Sequence, residues 1–339
     1  MKVGVMGAGA IGCWLGGRLA ASGAEVVLVG RARLRDEVAA HGLTLTEIDG
    51  TTTRVAPAAV TCATDPSAVA DCAVVLVAVK SGQTREAAVS LASVVGDHAL
   101  VVSMQNGVRN ADVIRDALPG RVVLGGIVGF NVRSLGEGAF RRATSGPLVI
   151  EAHDDPRLVE LAALLRAGGF DLELAPDIRA VQWSKLVMNL NNAISALSDR
   201  PTRELIFSPG YRRVLRALMR ESIDVLRAAD VKPGRLGVLP VTIFPAVLSL
   251  PTPLLRLVAR AQLKIDPEAR SSMWEDISRG RPTEVDELNG EIVRLAASCG
   301  ATAPLNARIV ALVREAEARG EGSPKMTPRE LSSAIGISP

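Results

Sequence analysis

The chain has 339 residues, of which 48% are hydrophobic and 22% are charged. A chain of this length normally forms two domains, and this apolar content excludes an intrinsically disordered protein. The formal net charge is only +3, and five Phe, three Trp and one Tyr offer few platforms for stacking bases. Charge and composition therefore do not favour a nucleic-acid-binding protein.

The cysteine and histidine content argues against a metal site. The four cysteines form no CxxC pair, and the chain has only three histidines, so we expect no bound metal. Scattered cysteines without disulfide-type spacing are typical of a cytoplasmic protein.

Two apolar segments resemble targeting or membrane signals. Residues 2–17 resemble a signal peptide, but their glycines interrupt the apolar helix that export requires. Residues 236–255 carry no charge and are long enough to span a bilayer, but four prolines break a spanning helix at roughly 3 kcal/mol each. We therefore expect neither export nor membrane insertion, and interpret residues 236–255 as a packed insertion, a lid or an oligomer contact.

Strands and helices alternate in the first half of the chain. The predicted strands cover residues 2–6, 25–29, 73–79, 99–103 and 122–128. The predicted helices between them cover residues 10–22, 33–41, 83–95 and 109–117. This alternation predicts a Rossmann-type, doubly wound α/β domain. An antiparallel hairpin is predicted over residues 140–150, with its turn near 145–146.

The second half is predicted to be all-α. Its predicted helices cover residues 180–198, 210–229, 254–264, 269–279, 284–298 and 304–319. The change of architecture divides the chain into a dinucleotide-binding domain (1–176) and a helical substrate and catalytic domain (177–325). Residues 326–339 are predicted to be a loose tail.

A glycine-rich turn joins the first predicted strand to the first predicted helix. Its sequence, GAGAIG, consists of Gly7, Ala8, Gly9, Ala10, Ile11 and Gly12. In this position the first glycine permits the tight turn, the second allows close approach of a pyrophosphate, and the third allows close helix–strand packing. The helix N-terminus attracts the phosphates. The motif therefore predicts dinucleotide binding, with an ordinary glycine turn as the alternative.

The residue that follows the second strand indicates which cofactor binds. NAD-binding domains carry Asp or Glu there to bind the ribose 2′-hydroxyl, whereas this strand ends in Gly30 and Arg31, with Arg33 behind them. A guanidinium pairs with a 2′-phosphate through two parallel hydrogen bonds. The sequence therefore predicts NADPH, with a solvated loop arginine as the alternative.

Polar loops follow two later strands, and open α/β sheets bind ligands at such strand ends. Lys80 and Ser81 follow the third predicted strand, and Gln105, Asn106 and Gly107 follow the fourth. Turn chemistry alone also explains these residue types. Their shared position favours contacts with cofactor and substrate.

One helix face is polar but almost uncharged. On a helix over residues 180–198, Lys185, Asn189 and Asn192 lie on the face opposite the apolar side chains, and Lys185 is the only charged residue. Solvated faces normally carry several charges, so this face is predicted to meet a ligand or a partner rather than water. A lysine in a partly dry site is a plausible proton donor for reduction of a ketone.

Glu284 is the second candidate catalytic residue. It lies in the sequence Thr-Glu-Val-Asp at the predicted start of the helix over 284–298. A first-turn glutamate often does no more than interact with the helix dipole, and this alternative stays open.

At this point the sequence resembles the ketopantoate reductases (2-dehydropantoate 2-reductases), which make pantoate for coenzyme A synthesis. The resemblance runs from GAGAIG at 7–12 through QNG at 105–107 and WSKLVMN at 183–189 to SSMWEDISRGRPTEVDELNG at 271–290. It implies a Rossmann domain followed by an all-helical domain, with NADPH as cofactor and a small 2-oxo acid as substrate. No nucleic-acid or membrane partner is expected, and a homodimer is an open alternative.

The resemblance also implies roles for individual residues. Lys185 is then the general acid, Glu284 binds and orients ligands, and Asn106 contacts the nicotinamide ribose and the substrate. The other implied substrate contacts are Asn189 and Ser272. The other implied cofactor contacts are Arg31, Lys80 and a loop near Asn131.

Two features depart from the family pattern. Ala193 stands where the family has a second substrate asparagine, and residues 236–255 form a longer connection than usual. On a straight helix Asn192 points close to the direction of Lys185 and is a candidate replacement. A paralogue with an altered 2-oxo acid substrate, a 3-hydroxyacid or opine-type dehydrogenase, and a non-catalytic NADPH-binding sensor remain alternatives.

Overall fold

The computed structural model describes residues 1–235, 240–262 and 269–337, with only the backbone described at 258–262. The chain divides into an N-terminal unit, Met1–Ile178, and a C-terminal unit, Arg179–Pro339. The N-terminal unit contains twelve strands, five α-helices and three short 3₁₀ helices, and a sixth α-helix begins at its last residue. The strands are β1 (Lys2–Met6), β2 (Glu25–Val29), β3 (Leu43–Thr46), β4 (Thr52–Val55), β5 (Val60–Ala63), β6 (Val74–Val77), β7 (Leu100–Ser103), β8 (Val123–Val128), β9 (Val132–Gly136), β10 (Ala139–Arg142), β11 (Leu148–Glu151) and β12 (Leu172–Ala175). The helices are α1 (Ala10–Ala21), α2 (Ala32–His41), α3 (Thr84–Ala92), α4 (Asn110–Ala117) and α5 (Pro156–Ala167).

The main sheet of the N-terminal unit has eight strands in the order β12-β11-β8-β7-β6-β1-β2-β5. Strands β5, β2, β1, β6, β7 and β8 run parallel to one another, whereas β11 is antiparallel to β8 and parallel to β12. Every residue of β6, β7 and β8 is buried, as expected for parallel strands that have both faces covered. The predicted doubly wound α/β class is confirmed, and the strand order reverses at β1, where such sheets bind ligands.

The predicted hairpin over residues 140–150 is wrong. Strand β10 pairs with β9 and β3 in a separate four-stranded sheet, whereas β11 joins the main sheet beside β8. The actual hairpin joins β9 to β10 through Glu137 and Gly138, both with positive φ. The apolar residues of β11 are fully buried in the main sheet. The free energy gained by this burial is larger than that of a hairpin between β11 and the preceding strand β10.

The C-terminal unit is helical. Its described helices are α6 (Ile178–Met188), α7 (Asn191–Ser198), α8 (Thr202–Phe207), α9 (Pro209–Ala228), α10 (Phe244–Val247), α11 (Thr252–Gln262), α12 (Ser272–Ser278), α13 (Asn289–Ser298), α14 (Pro304–Arg319) and α15 (Pro328–Ala334). The single helix predicted over 180–198 is two helices that break at Asn189 and Leu190. Asparagine side chains compete for backbone hydrogen bonds, which explains a break in a segment with three of them.

The expected loose tail also differs from the structure. Residues 328–334 form α15, which begins with a capping box between Thr327 and Glu330 and buries Leu331 completely. The backbone N–H of Met326 donates to the carbonyl of Leu197 (2.8 Å), and the Tyr211 hydroxyl donates to the Met326 carbonyl (2.8 Å). A Ser/Pro-rich composition therefore does not exclude a docked terminal helix.

The uncharged stretch 236–255 begins with residues 236–239, which lie outside the described residues. From residue 240 onward it forms short helical turns and the start of α11, burying Val241, Leu248 and Leu255. In the described ranges, no helix combines the length and the apolar character needed to cross a membrane.

Candidate active site

The glycine turn of the N-terminal unit excludes side chains at two of its three glycines. Gly7 has φ +105°, and a Cβ on it would lie 2.5 Å from the Val79 nitrogen. A Cβ on Gly12 would lie 2.2 Å from the Gly7 carbonyl oxygen, so only glycine fits at either position. Gly9, by contrast, has nothing within 4 Å of its missing Cβ. The turn is therefore tightly packed on the protein side and open at its middle glycine.

The N-terminus of α1 completes this turn. Gly9 is the N-cap residue, and the first intrahelical bond runs from the Cys13 N–H to the Gly9 carbonyl (2.9 Å). The N–H groups of Ala10, Ile11 and Gly12 precede that bond, and the first turn holds no acidic side chain. These groups fit a pyrophosphate by direct hydrogen bonding and by the positive end of the helix dipole.

Arg31 lies at the same edge of the sheet. The N–H groups of Gly7 and Ala8 donate to the Val29 carbonyl (3.1 and 2.9 Å), which joins the glycine turn to the end of β2. Arg31 follows two residues later as the N-cap of α2, and its side chain is exposed. No acidic residue stands at this position, and a guanidinium there could pair with a 2′-phosphate. The preference for NADPH stays a prediction.

The loops after β6 and β7 lie at this edge as well, because both strands run parallel to β1. Lys80 is exposed, and Asn106 is half-buried. The Ser81 hydroxyl donates to the Asn106 carbonyl (3.2 Å), so the two loops are bonded to each other. Asn131 follows β8 and is exposed, with its N–H donating to the Thr144 hydroxyl (2.9 Å). Cofactor contacts of these residues stay predictions.

Lys185 and Glu284 are coupled within the C-terminal unit. Lys185 is half-buried on α6, and Glu284 is 7% exposed. Burial lowers the pKa of the Lys185 ammonium to about 8, and the Glu284 carboxylate acts in the opposite direction by stabilising the charge. An ammonium with this pKa is mostly protonated at neutral pH and is still acidic enough to donate.

The predicted helical start at Glu284 is wrong. Glu284 lies in a turn, and α13 begins only at Asn289. The Thr283 hydroxyl accepts from the Val285 N–H (3.2 Å), and the Glu317 carboxylate accepts from the Thr283 N–H (2.6 Å). One local bond and one bond to a distant residue therefore satisfy the N–H groups of Val285 and Thr283 without a helix. The apolar spacing of the segment continues through the turn, which is why periodicity alone predicts a longer helix.

The predicted substrate residues occupy different settings. Asn189 is half-buried at the break between α6 and α7, and Asn192 is 8% exposed in the first turn of α7. Because the helix breaks, the straight-helix projection of Asn192 onto Lys185 loses its geometric basis. Ser272 is half-buried as the first residue of α12, and the preceding Ser271 is the N-cap whose hydroxyl donates to the Asn192 carbonyl (3.0 Å). Their substrate contacts stay predictions.

Asp199, Arg270 and Trp274 form a cluster that the sequence motifs do not predict. The Asp199 carboxylate accepts from the Arg270 guanidinium (2.6 Å) and from the Trp274 indole N–H (2.7 Å), and Arg270 lies 4.4 Å from the Trp274 ring centroid. Asp199 adopts φ +57° just after α7. The cluster therefore fixes the end of α7 against the start of α12, where Ser272 lies. No local pattern predicts the cluster, because Asp199 lies 71 residues from Arg270 and 75 residues from Trp274 along the chain.

Replacing Asp199 with alanine is expected to lower the free energy of unfolding by about 1–3 kcal/mol. The change leaves the Trp274 indole N–H without its acceptor and removes the carboxylate from Arg270, whose guanidinium keeps only the Asp199 backbone carbonyl (2.6 Å). Asp199→Asn should lose less, since asparagine tolerates the left-handed backbone and keeps one acceptor oxygen. Urea denaturation of both variants beside the parent chain measures the effect. An unchanged midpoint for Asp199→Ala would mean that the cluster contributes nothing to stability.

Two of the four cysteines, Cys13 and Cys72, are buried. Burial raises the pKa of the Cys72 thiol to about 11 and that of Cys13 further, so both thiols stay protonated at neutral pH. Among the residues whose structure is described, no group of three His, Cys, Asp or Glu side chains could hold a metal ion.

Comparison with known proteins identifies the family. The family described as "Ketopantoate reductase PanE/ApbA" matches residues 3–155, and "Ketopantoate reductase PanE/ApbA C terminal" matches residues 177–317. This chain belongs to the ketopantoate reductase family. The 2-dehydropantoate 2-reductase of Halobacterium salinarum is 31% identical over 331 residues, covering 94% of this chain and 100% of that protein. The resemblance seen in the sequence is thus confirmed, and the family consists of oxidoreductases that act on CH–OH groups.

Solved structures agree with this assignment. The PanE/ApbA family ketopantoate reductase from Ralstonia eutropha JMP134 has a TM-score of 0.80 and 35% identity, covering 95% of this chain and 100% of that one. A ternary structure of D-mandelate dehydrogenase with NADH and anilino(oxo)acetate has a TM-score of 0.76 at 22% identity, covering 94% of this chain and 99% of that one. The second structure shares the fold. The ketopantoate reductase fold of this chain therefore combines a Rossmann-like domain and a helical domain.

Proposed function

We propose that this chain reduces ketopantoate to pantoate with NADPH. The observation that carries the proposal is Lys185, an ammonium whose pKa is lowered to about 8 by burial while the buried carboxylate of Glu284 favours its charged form. A general acid is most efficient when its pKa lies near the working pH, so an ammonium of this pKa suits the reduction of a ketone near neutral pH. A lysine on an ordinary solvated face would keep its pKa near 10.4 and would be a weaker acid.

The N-terminal unit supplies the groups that would hold NADPH. The N–H groups at the start of α1 would bind the pyrophosphate, and the guanidinium of Arg31 would bind the 2′-phosphate. Lys80 would contact the cofactor from the neighbouring loop, as would backbone groups near Asn131. Asn106 would hydrogen-bond the nicotinamide ribose and the substrate. Bound NADPH supplies the hydride that reduces the substrate carbonyl carbon.

The C-terminal unit supplies the acid and the substrate contacts. Asn189 and Ser272 would hydrogen-bond the substrate without adding charge. As the carbonyl carbon accepts the hydride, negative charge develops on its oxygen, and the Lys185 ammonium stabilises that charge and donates its proton. The 2-oxo acid thus gains a hydride and a proton to become the 2-hydroxy acid. Glu284 would keep Lys185 protonated between turnovers and orient the ligands.

Reduction of a different 2-oxo acid is the second candidate. Ala193 is fully buried in α7, so it offers no amide where the family pattern has a second substrate asparagine. The fold shared with D-mandelate dehydrogenase adds aryl 2-oxo acids to the candidates. A substrate with fewer polar groups than ketopantoate would suit a site without that amide, because no donor of the substrate would be left unpaired.

A substrate panel tests the proposal. The purified chain should oxidise NADPH with a higher kcat/KM for ketopantoate than for pyruvate, 2-oxobutanoate or phenylglyoxylate. The loss of NADPH absorbance measures the rate with each substrate. A preference for another 2-oxo acid would favour the altered-substrate candidate. Oxidation of a 3-hydroxyacid, or reduction that requires an amine, would favour the dehydrogenase alternatives, and tight NADPH binding without any turnover would favour a sensor.

A further inference from the structure

A buried network of polar side chains joins the loops that follow β6 and β7 in the N-terminal unit. Its five side chains are each at most 9% exposed, and none of them carries a charge. They are Ser81, Thr84, Ser103, Gln105 and Asn110. Burying this many polar groups costs free energy unless each finds a partner, so a complete set of hydrogen bonds is expected.

Three of these side chains form a chain of hydrogen bonds in which each donates to the next, from Gln105 through Thr84 to Asn110. The Gln105 amide donates to the Thr84 hydroxyl (2.7 Å) and to the Val79 carbonyl (3.0 Å). The Thr84 hydroxyl in turn donates to the Asn110 side-chain oxygen (2.8 Å). Because Thr84 accepts one bond and donates the next, the orientation of both amides is determined.

The network ends on the backbone of Asn106. The Asn110 amide donates to the Asn106 carbonyl and to the Ser81 hydroxyl (3.2 Å), and the Ser81 hydroxyl donates to the same carbonyl (3.2 Å). At the other end, the Ser103 hydroxyl donates to the Gln105 side-chain oxygen (3.0 Å). Two donors thus hold one peptide of the QNG loop, next to Gly107, whose φ is +86°.

We infer that Thr84, Gln105 and Asn110 are positioning residues that orient Asn106 toward the nicotinamide half of the cofactor. The inference rests on the proposed function for the identity of that ligand and for its contact with Asn106. Thr84 lies in the first turn of α3 and Asn110 in the first turn of α4, so the network fixes the loop to two helices as well as to the strands. None of the three needs to touch a ligand to act, because each acts through the Asn106 peptide.

The test removes the central hydroxyl. Thr84→Val keeps the shape of the side chain but deletes one donor and one acceptor, leaving Gln105 and Asn110 each short of a partner. We expect the Kd for NADPH to rise about tenfold, measured by quenching of protein fluorescence. The Kd for 2′,5′-ADP, which lacks the nicotinamide half, should change less than twofold. Thr84→Ser, which keeps the hydroxyl, should restore NADPH binding.

A double-mutant cycle separates positioning from a structural effect. If Thr84 acts through Asn106, then Thr84→Val should change the Kd for NADPH less than twofold in an Asn106→Ala background. Ser222→Ala is the matched control, because Ser222 is a fully buried hydroxyl in the C-terminal unit that donates to the Leu218 carbonyl (2.8 Å). It should lower Tm without changing either Kd.

Three results would overturn the inference: equal weakening of NADPH and 2′,5′-ADP, additive effects in the double variant, or no rescue by serine. These binding measurements do not depend on turnover. A wild-type chain that reduces no 2-oxo acid would therefore refute the proposed function, while the Kd values would still decide the inference.

Discussion

Replacing Lys185 with alanine is expected to lower kcat for reduction of the 2-oxo acid by about 10²–10⁴-fold, the usual contribution of a positioned general acid. The Kd for NADPH should change little, because the cofactor contacts proposed above lie in the N-terminal unit. Steady-state kinetics and fluorescence titration measure the two quantities. Lys232→Ala removes an exposed lysine from the same unit and is the matched control, expected to keep the parent kcat. A Lys185→Ala variant with normal turnover would remove the lysine from the mechanism.

The pH profile is a second control on this assignment. In the proposed reaction Lys185 donates a proton, so it must be protonated, and its pKa is about 8. The rate of reduction should therefore be constant below that pH and fall about tenfold per unit above it. The reverse reaction needs the neutral amine and should rise with pH through the same region. In Lys185→Ala the break near pH 8 should disappear from both directions. A break that persists in the variant would belong to another group.

Arg31→Ala is expected to raise the Kd for NADPH by about 10- to 100-fold, since hydrogen bonds to a charged phosphate contribute about 1.5–3 kcal/mol. The Kd for NADH should change less than threefold, because NADH lacks the 2′-phosphate. Titration of both nucleotides into the same variant measures the ratio directly, and the ratio is independent of any general loss of folded protein.

Arg35→Ala provides the matched control for this prediction. Arg35 is an exposed arginine on the same helix, and its guanidinium pairs with the adjacent Asp36 (2.8 Å). Its removal should leave the Kd values for both nucleotides within twofold of the parent. Equal losses of NADPH and NADH affinity in Arg31→Ala would contradict a phosphate contact and would indicate a structural role at the start of α2.

The start of the fold was predictable because its signals are local. A short apolar strand, three glycines at fixed spacing and a helix follow one another within residues 2–21, and β1, the turn and α1 all form as predicted. The glycine spacing is a reliable signal because no other residue fits at Gly7, which has positive φ, or at Gly12, where a Cβ would meet the Gly7 carbonyl. Lys185 could also be predicted as a candidate site residue. It is the only charged residue on a polar helix face, and this pattern is unusual whichever elements pack beside the helix.

Other features could not be predicted because they depend on distant partners. The wrong hairpin over 140–150 shows that alternation identifies strands without identifying the strands they pair with. The turn at Glu284 depends on Glu317, which lies far along the chain. Likewise, the Thr84 to Asn110 network joins residues from two helices and two loops, and no local pattern marks Thr84 as different from any other threonine at a helix start.

The sequence by itself determined the α/β and all-α organisation, the dinucleotide turn and the identity of the candidate acid, because hydrophobic periodicity and glycine geometry act over a few residues. Only the tertiary structure decided which strands pair, where the helix around Asn189 breaks, and how Lys185 acquires a pKa near 8 beside Glu284. Desolvation and Coulombic interaction depend on groups brought together from distant positions. Their strength is set by packing, which no single segment of the chain contains.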